Sequence, residues 1–257
     1  MHTIEAHTVP YVLADRSASQ CLDVYRPAGQ RTPTPCVLLW HGVGPDERDV
    51  MAALARQIAS HGRTVFVPDW RSDAPDGGRS HLMASLRYVR ENAGAHGADA
   101  GDIVVAGWSA GAGAAIAMAL RPDLTDGPRP AAVVGIAGGY SRPARSTASI
   151  PLHDLAATSA SPVPVRLVHG SADSVVSSHH SHELHTALRA RQWPVQFEEL
   201  DTDHDGVIAM TYDPALGRCR ATTDPRALTA GADVARIIAT AAEPHPLSGS
   251  DGSGPPG

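Results

Sequence analysis

Residues 102–120 read DIVVAGWSAGAGAAIAMAL. The first part is an apolar run that fits a strand, and the second is a run of small residues and helix formers. The change falls on Ser109, inside Gly107-Trp108-Ser109-Ala110-Gly111. A lone G-x-S-x-G is a short motif. Set between an apolar strand and a small-residue helix, it has the context of a nucleophile elbow, a tight strand-to-helix turn that exposes the serine. Glycine at 107 and 111 leaves no Cβ to block the close approach of the two arms. The helix N-terminus beneath the serine supplies free N–H groups and a dipole that favour the negative charge developing in acyl transfer. Two other roles suit a serine here: a plain helix cap, or part of a phosphate-binding turn. The spacing, however, is neither GxGxxG nor GxxxxGK[ST].

Working outward, the same alternation repeats. LDVYR (22–26) is extended, and CVLLW (36–40) is an apolar run suited to a strand buried on both faces. It stops at the turn HGVGP. Residues 48–62 carry a helical stripe through Val50, Leu54 and Ile58, with Gly62 as the stop. Strands follow at 64–70, 131–139, 163–170 and 195–200, and helices at 82–93, 181–192 and 227–242. The alternation from Pro35 to Glu243 predicts a three-layer α/β fold with a mostly parallel central sheet covered on both sides. No Pro/Gly linker divides the chain, so residues 1–246 read as a single domain. The tail 247–257, LSGSDGSGPPG, has a disordered composition. Residues 140–162, rich in Ser, Pro and Ala, read as a small lid or a loop, too short for a large cap domain.

The chain has 257 residues with 42% hydrophobic content, enough for a substantial core, and a formal charge of −6 without a basic tract. That charge argues against a nucleic-acid partner. No apolar run reaches the ~20 residues that span a bilayer, and the start MHTIEAHTVPYVLADRS lacks a signal-peptide pattern, so a cytoplasmic location is expected. Cys21, Cys36 and Cys219 form no CxxC pair and read as reduced structural thiols.

A serine hydroxyl needs a base, and the base needs a carboxylate to orient it. Asp173 follows the strand VRLVHG, and His204 follows the next strand, VQFEEL. The order Ser109, Asp173, His204 places all three at C-terminal strand ends, where open α/β sheets put their sites. Asp201, Asp203 and Asp205 beside His204 compete for the role of the acid. His179, His180, His182 and His185 are dense but scatter around more than one helix face, which reads as surface histidines. Neither they nor the Asp-rich run has recognised metal-ligand spacing. The oxyanion donors are expected from the Ala110 amide and from the turn His41-Gly42-Val43-Gly44, with His41 as a structural hydrogen-bonder.

Taken together, LDVYRP, LLWHGVG, FVPDWR, YVRENAGAHGAD, IVVAGWSAGAG, LVHGSAD and the DHDG turn resemble the esterase/lipase branch of the α/β-hydrolases that includes hormone-sensitive-lipase-like carboxylesterases. The resemblance implies the α/β-hydrolase fold and a triad at Ser109, Asp173 and His204. Carried over by position, the family's HGGG turn puts oxyanion N–H groups on Val43 and Gly44, beside Ala110. The sequence departs from that pattern at Val43, whose side chain should line the site or pack behind the loop. The chain before Cys21 is short for the family's N-terminal cap, which implies little or no cap domain. The implied activity is hydrolysis of a small or medium carboxylic ester through an acyl-enzyme, without metal or organic cofactor. The same machinery serves an amidase, formamidase or thioesterase, and a non-catalytic binding protein on this fold is the remaining alternative.

Overall fold

The structure is a computed structural model describing residues 3–12, 19–125 and 127–243. The 247–257 tail lies outside the described residues. The strands are β1 (Ile4–Val12), β2 (Ser19–Pro27), β3 (Thr34–Trp40), β4 (Thr64–Pro68), β5 (Ala98–Trp108), β6 (Ala132–Ile136), β7 (Val165–Gly170) and β8 (Val195–Leu200). They form one sheet in the order β1-β2-β4-β3-β5-β6-β7-β8. Only β2 runs against the others, pairing antiparallel with both β1 and β4. The six strands from β3 onward are mutually parallel, as the apolar runs predict.

Side chains on a strand alternate between faces, and the core divides accordingly. Val37 and Leu39 of β3 join the cluster beneath α1 (Ala52–Ser60) and α6 (Pro225–Ala239). Cys36, Leu38 and Trp40 face the other layer, with α2 (Arg79–Asn92) and α3 (Ala110–Leu120). That second layer continues over α4 (Pro151–Ala157) and α5 (His179–Ala190) through Leu155, Leu184 and Leu188. The result is three layers with no large cap insertion.

Several details differ from the sequence reading. The helix expected over 48–62 begins as a 3₁₀ turn, Arg48–Met51, before α1. Residues 140–162 are not lid-like, because α4 packs on α3 and buries Leu155 in the second layer. The strand–helix alternation is interrupted after β8 by a small separate hairpin, β9 (Met210–Asp213) with β10 (Arg218–Ala221). Strand β1 had no signal in the sequence reading.

The parallel register aligns the strand ends. Trp40 lies opposite Gly107, Trp108 opposite Ile136, and Gly170 opposite Leu200. The loops after β3, β5, β7 and β8 therefore emerge along one edge. Helix α6 closes the chain against α1, starting where the Asp224 carboxylate accepts the Arg226 N–H with Pro225 at the first helical position.

Leu38 is fully buried at the centre of the sheet. Leu38→Ala should cost about 3 kcal/mol in urea unfolding, whereas Asp224→Ala should cost about 1 kcal/mol through loss of the cap alone. Equal costs for the two would contradict this placing of the core.

Candidate active site

The elbow depends on two missing side chains. A Cβ on Gly107 would lie 2.1 Å from Gly111 O, and one on Gly111 would lie 2.5 Å from His41 O. With hydrogen at both positions, β5 turns into α3 through the single residue Ser109. Its φ of 55° and ψ of −116° are a backbone conformation costly for a residue with a side chain. The turn is held by Ser109 N–H donating to Ile136 O at 2.8 Å.

The loop after β3 packs directly on this elbow. A Cβ on Gly42 would meet the Trp108 ring at 2.9 Å and Ser109 Cβ at 3.2 Å. His41 organises the loop from within. Its Nε2 accepts the N–H groups of Trp70 at 3.2 Å and Glu47 at 3.3 Å, so Nδ1 carries the proton and donates to Gly42 O at 3.0 Å. The ring stacks on Trp70, with centroids 5.1 Å apart. Burial holds the imidazole neutral, lowering its pKa to about 4 despite the Gly42 carbonyl. His41 thus has the structural role expected of it.

The three oxyanion candidates part company here. Val43 and Ala110 have N–H groups that no hydrogen bond engages among the described residues. The Gly44 N–H instead donates to Ser72 Oγ at 3.0 Å, on the loop after β4. The Gly44 N–H is thus engaged by a side chain, unlike those of Val43 and Ala110. Val43 does not adopt positive φ, a conformation left to Gly44 at φ 153°. The Val43 side chain is 62% exposed, so it does not pack behind the loop.

Asp173 and His204 meet. His204 Nδ1 lies 2.7 Å from Asp173 Oδ2, with the carboxylate side chain fully buried and the imidazole 6% exposed. The other carboxylate oxygen, Oδ1, accepts the Val175 and Val176 N–H groups, each at 2.8 Å. Burial raises the Asp173 pKa, but hydrogen bonds from His169, His204 and Val176 outweigh it and hold the carboxyl well below the usual carboxylate range. With Asp173 accepting at Nδ1–H, Nε2 of His204 is left with its lone pair. The competing acids are occupied otherwise: Asp201 faces Arg226, Asp203 accepts the Gly206 N–H, and Asp205 faces the Cys219 thiol.

His204 is brought to the elbow by Trp108, which sequence reasoning missed. Trp108 Nε1–H donates to His204 O at 2.9 Å, and the two rings lie 5.1 Å apart. Trp108 precedes Ser109, so His204 is fixed to the residue beside the elbow serine. No hydrogen bond joins the Ser109 hydroxyl to His204 among the described residues. Such bonds are often long before substrate binds.

A second Ser–His–Asp set lies behind the carboxylate. Ser181 Oγ is 2.8 Å from His169 Nδ1, and His169 Nε2 is 3.2 Å from the same Asp173 Oδ2. Ser181 and His169 are both fully buried. The only sequence signal for His169 was its place four residues before Asp173, at the end of β7. Elsewhere His182 packs edge-on against Phe197 at 4.6 Å. Among the described residues no three His, Cys, Asp or Glu side chains are placed to hold one metal ion. Among them also, no helix is long and apolar enough to cross a membrane.

Strand order, elbow and the aligned loops agree with what comparison finds. The chain shares its three-layer α/β fold with solved esterases and hydrolases. A family model described as BD-FAE matches residues 22–127, from β2 through the elbow to the turn after α3. A bacterial heroin esterase superposes with a TM-score of 0.69 at 17% identity, over 94% of this chain and 85% of that one. The esterase Est2 of Thermogutta terrifontis, with propionate bound, gives a TM-score of 0.72 at 17% identity, over 91% and 93% of the two chains. A putative dienelactone hydrolase from Klebsiella pneumoniae gives 0.67 at 17% identity, over 93% and 99%. Likeness at such identity is likeness of fold. No curated protein matches the chain in sequence.

The buried neutral state of His41 has a consequence for stability. The unfolded histidine titrates near pH 6.5 and the folded one near 4, so the unfolded chain binds the extra proton between these values. This contribution is constant above pH 6.5 and falls by about 1.4 kcal/mol per unit as pH drops toward 4. Urea unfolding of the wild type should lose about 2 kcal/mol from this group between pH 7 and pH 5. His41→Gln, which lacks the titration, should show a correspondingly shallower slope, and equal slopes would contradict it.

Proposed function

We propose that this protein hydrolyses a carboxylic ester through a serine acyl-enzyme, with Ser109 as nucleophile, His204 as general base and Asp173 as the orienting acid. The observation that carries this reading is the 2.7 Å contact of His204 Nδ1 with buried Asp173, on a histidine tied through Trp108 to the elbow serine. Asp173 fixes the His204 tautomer, so Nε2 accepts the Ser109 proton as Oγ attacks the carbonyl. The Ala110 and Val43 amides are the donors left for the oxyanion, at the positive end of α3. His204 then protonates the departing alcohol and afterwards activates water, which releases the acid and restores Ser109. The substrate in this reading is a small or medium ester. The motifs LLWHGVG, GWSAG and LVHGSAD support a place in the branch resembling hormone-sensitive-lipase-like carboxylesterases.

Ser181 cannot take the role of Ser109 in this reading, because its fully buried hydroxyl has no path to a substrate carbonyl. A fluorophosphonate probe followed by peptide mass mapping separates the two. It should label wild type and Ser181→Ala at the peptide containing Ser109, and leave Ser109→Ala unlabelled. Labelling of Ser109→Ala would refute the assignment. Asp173→Asn should keep the fold and lower kcat for a p-nitrophenyl ester by about 10⁴-fold, by presenting the wrong tautomer.

The oxyanion assignment has its own test. Val43→Pro removes a single N–H and should lower kcat by about 10²–10³-fold, with folding checked by circular dichroism. Val43→Gly keeps the donor and should stay far closer to wild type. A folded Val43→Pro with wild-type kcat would leave Ala110 without a partner from this loop.

A further inference from the structure

Asp173 sits on the loop after β7, and the hydrogen bond to His204 is only as well aimed as that carboxylate. Its Oδ1 is fixed by two backbone N–H groups of its own loop. Its Oδ2, the oxygen that serves His204, has a second neighbour: His169 Nε2 at 3.2 Å. The same Nε2 lies 2.8 Å from Val176 O. Two acceptors face this nitrogen, so Nε2 bears the proton, and Nδ1 accepts from Ser181 Oγ at 2.8 Å. The three side chains belong to different parts of the fold: His169 to β7, Ser181 to α5 and Asp173 to the loop between them. His169, Ser181 and the Asp173 side chain are all fully buried. In such surroundings a hydrogen bond to a charged group is strong, and a missing partner is costly.

We propose that His169 is a positioning residue for the triad: with its ring held by Ser181, it shares its single Nε2–H between Val176 O and Asp173 Oδ2 and so fixes the carboxylate plane along which His204 is aimed. The inference rests on the reading of Ser109, His204 and Asp173 as the triad. His169 does not touch substrate and takes no proton in the reaction. Its place on a sheet strand gives the loop carboxylate a rigid reference. Without the donor, Asp173 keeps its charge and its loop contacts but is freer to rotate about Cβ–Cγ, and the fraction of correctly aimed His204 falls. The loss belongs to the chemical step and not to substrate binding.

The test compares His169→Met, which removes the donor, with His169→Gln, whose terminal amide reaches the position of Nε2. Each protein is first titrated with a fluorophosphonate, so that kcat is expressed per reactive serine. His169→Met should lose about 10- to 100-fold in kcat per site, the value of a hydrogen bond to a charged group, with KM little changed. His169→Gln should recover most of that loss. The downfield proton resonance of the His204 Nδ1–H should be sharp in wild type and His169→Gln, and broadened or shifted upfield in His169→Met. Wild-type kcat per site and an unmoved resonance in His169→Met would overturn the proposal. If His169→Met does not fold, His169→Asn takes its place, since the shorter amide stops before Oδ2, and equal behaviour of the Asn and Gln variants would overturn it equally. A wild type that takes no label at Ser109 would overturn the hydrolase reading itself, whereas normal labelling with indifferent variants would overturn only the role of His169.

Discussion

The whole site depends on one steric constraint, the mutual approach of Gly107 and Gly111. Any side chain at either position would overlap backbone atoms, so the strand could not turn into the helix within a single residue. That turn places Ser109 at positive φ, sets the free amide of Ala110 beside it and brings Trp108 under His204. The strain is sustained because both arms are tied into the sheet and the second layer, with α3 buried along its length from Gly111 onward. The His41 loop follows from the same contact, since its carbonyl rests where a Gly111 side chain would be.

The second level of organisation is polar and lies beneath the surface. His41 and His169 are both fully buried and both have two occupied ring nitrogens. One organises the loop after β3, the other stands behind Asp173. Each satisfies its polar atoms inside the protein, so neither needs solvent, and each gives a loop a fixed reference in the sheet. Rigidity at this site is therefore supplied mainly by hydrogen bonds from strand ends to loops.

What the sequence disclosed and what it hid have physical causes. Strands β3 to β8 are mostly buried runs or sit next to them, so composition alone marks them, and Ser109, Asp173 and His204 follow from their positions at strand ends. Strand β1 escaped because most of its residues are exposed and it contains Pro10, a residue that argues against a strand, leaving Tyr11 as its fully buried anchor. The 3₁₀ start at 48–51 keeps the same apolar residues inward as an α-helix would, so periodicity does not separate the two. The engagement of Gly44 depends on Ser72, a loop residue from another crossover, and no local pattern announces such a pairing. His169 looked like any strand residue, because its meaning comes from Ser181 and Asp173 on either side of a turn.

The hairpin that follows the His204 loop has a consequence of a different kind. Its second strand is moored, by the Cys219 thiol on Asp205 and by Arg218 on Asp49 at 2.7 Å. Tyr212, opposite Cys219 in the ladder, and Leu216 in the turn are 53% and 63% exposed. The second strand and the turn are therefore under unequal constraint. Residues 205 and 219 are tied to the loop that carries His204, while the turn between β9 and β10 is held from within the hairpin by Asp213, which accepts the Ala215 N–H at 2.9 Å. A change of length or chemistry confined to residues 214–217 is therefore local to the hairpin and leaves the His204 loop as it is.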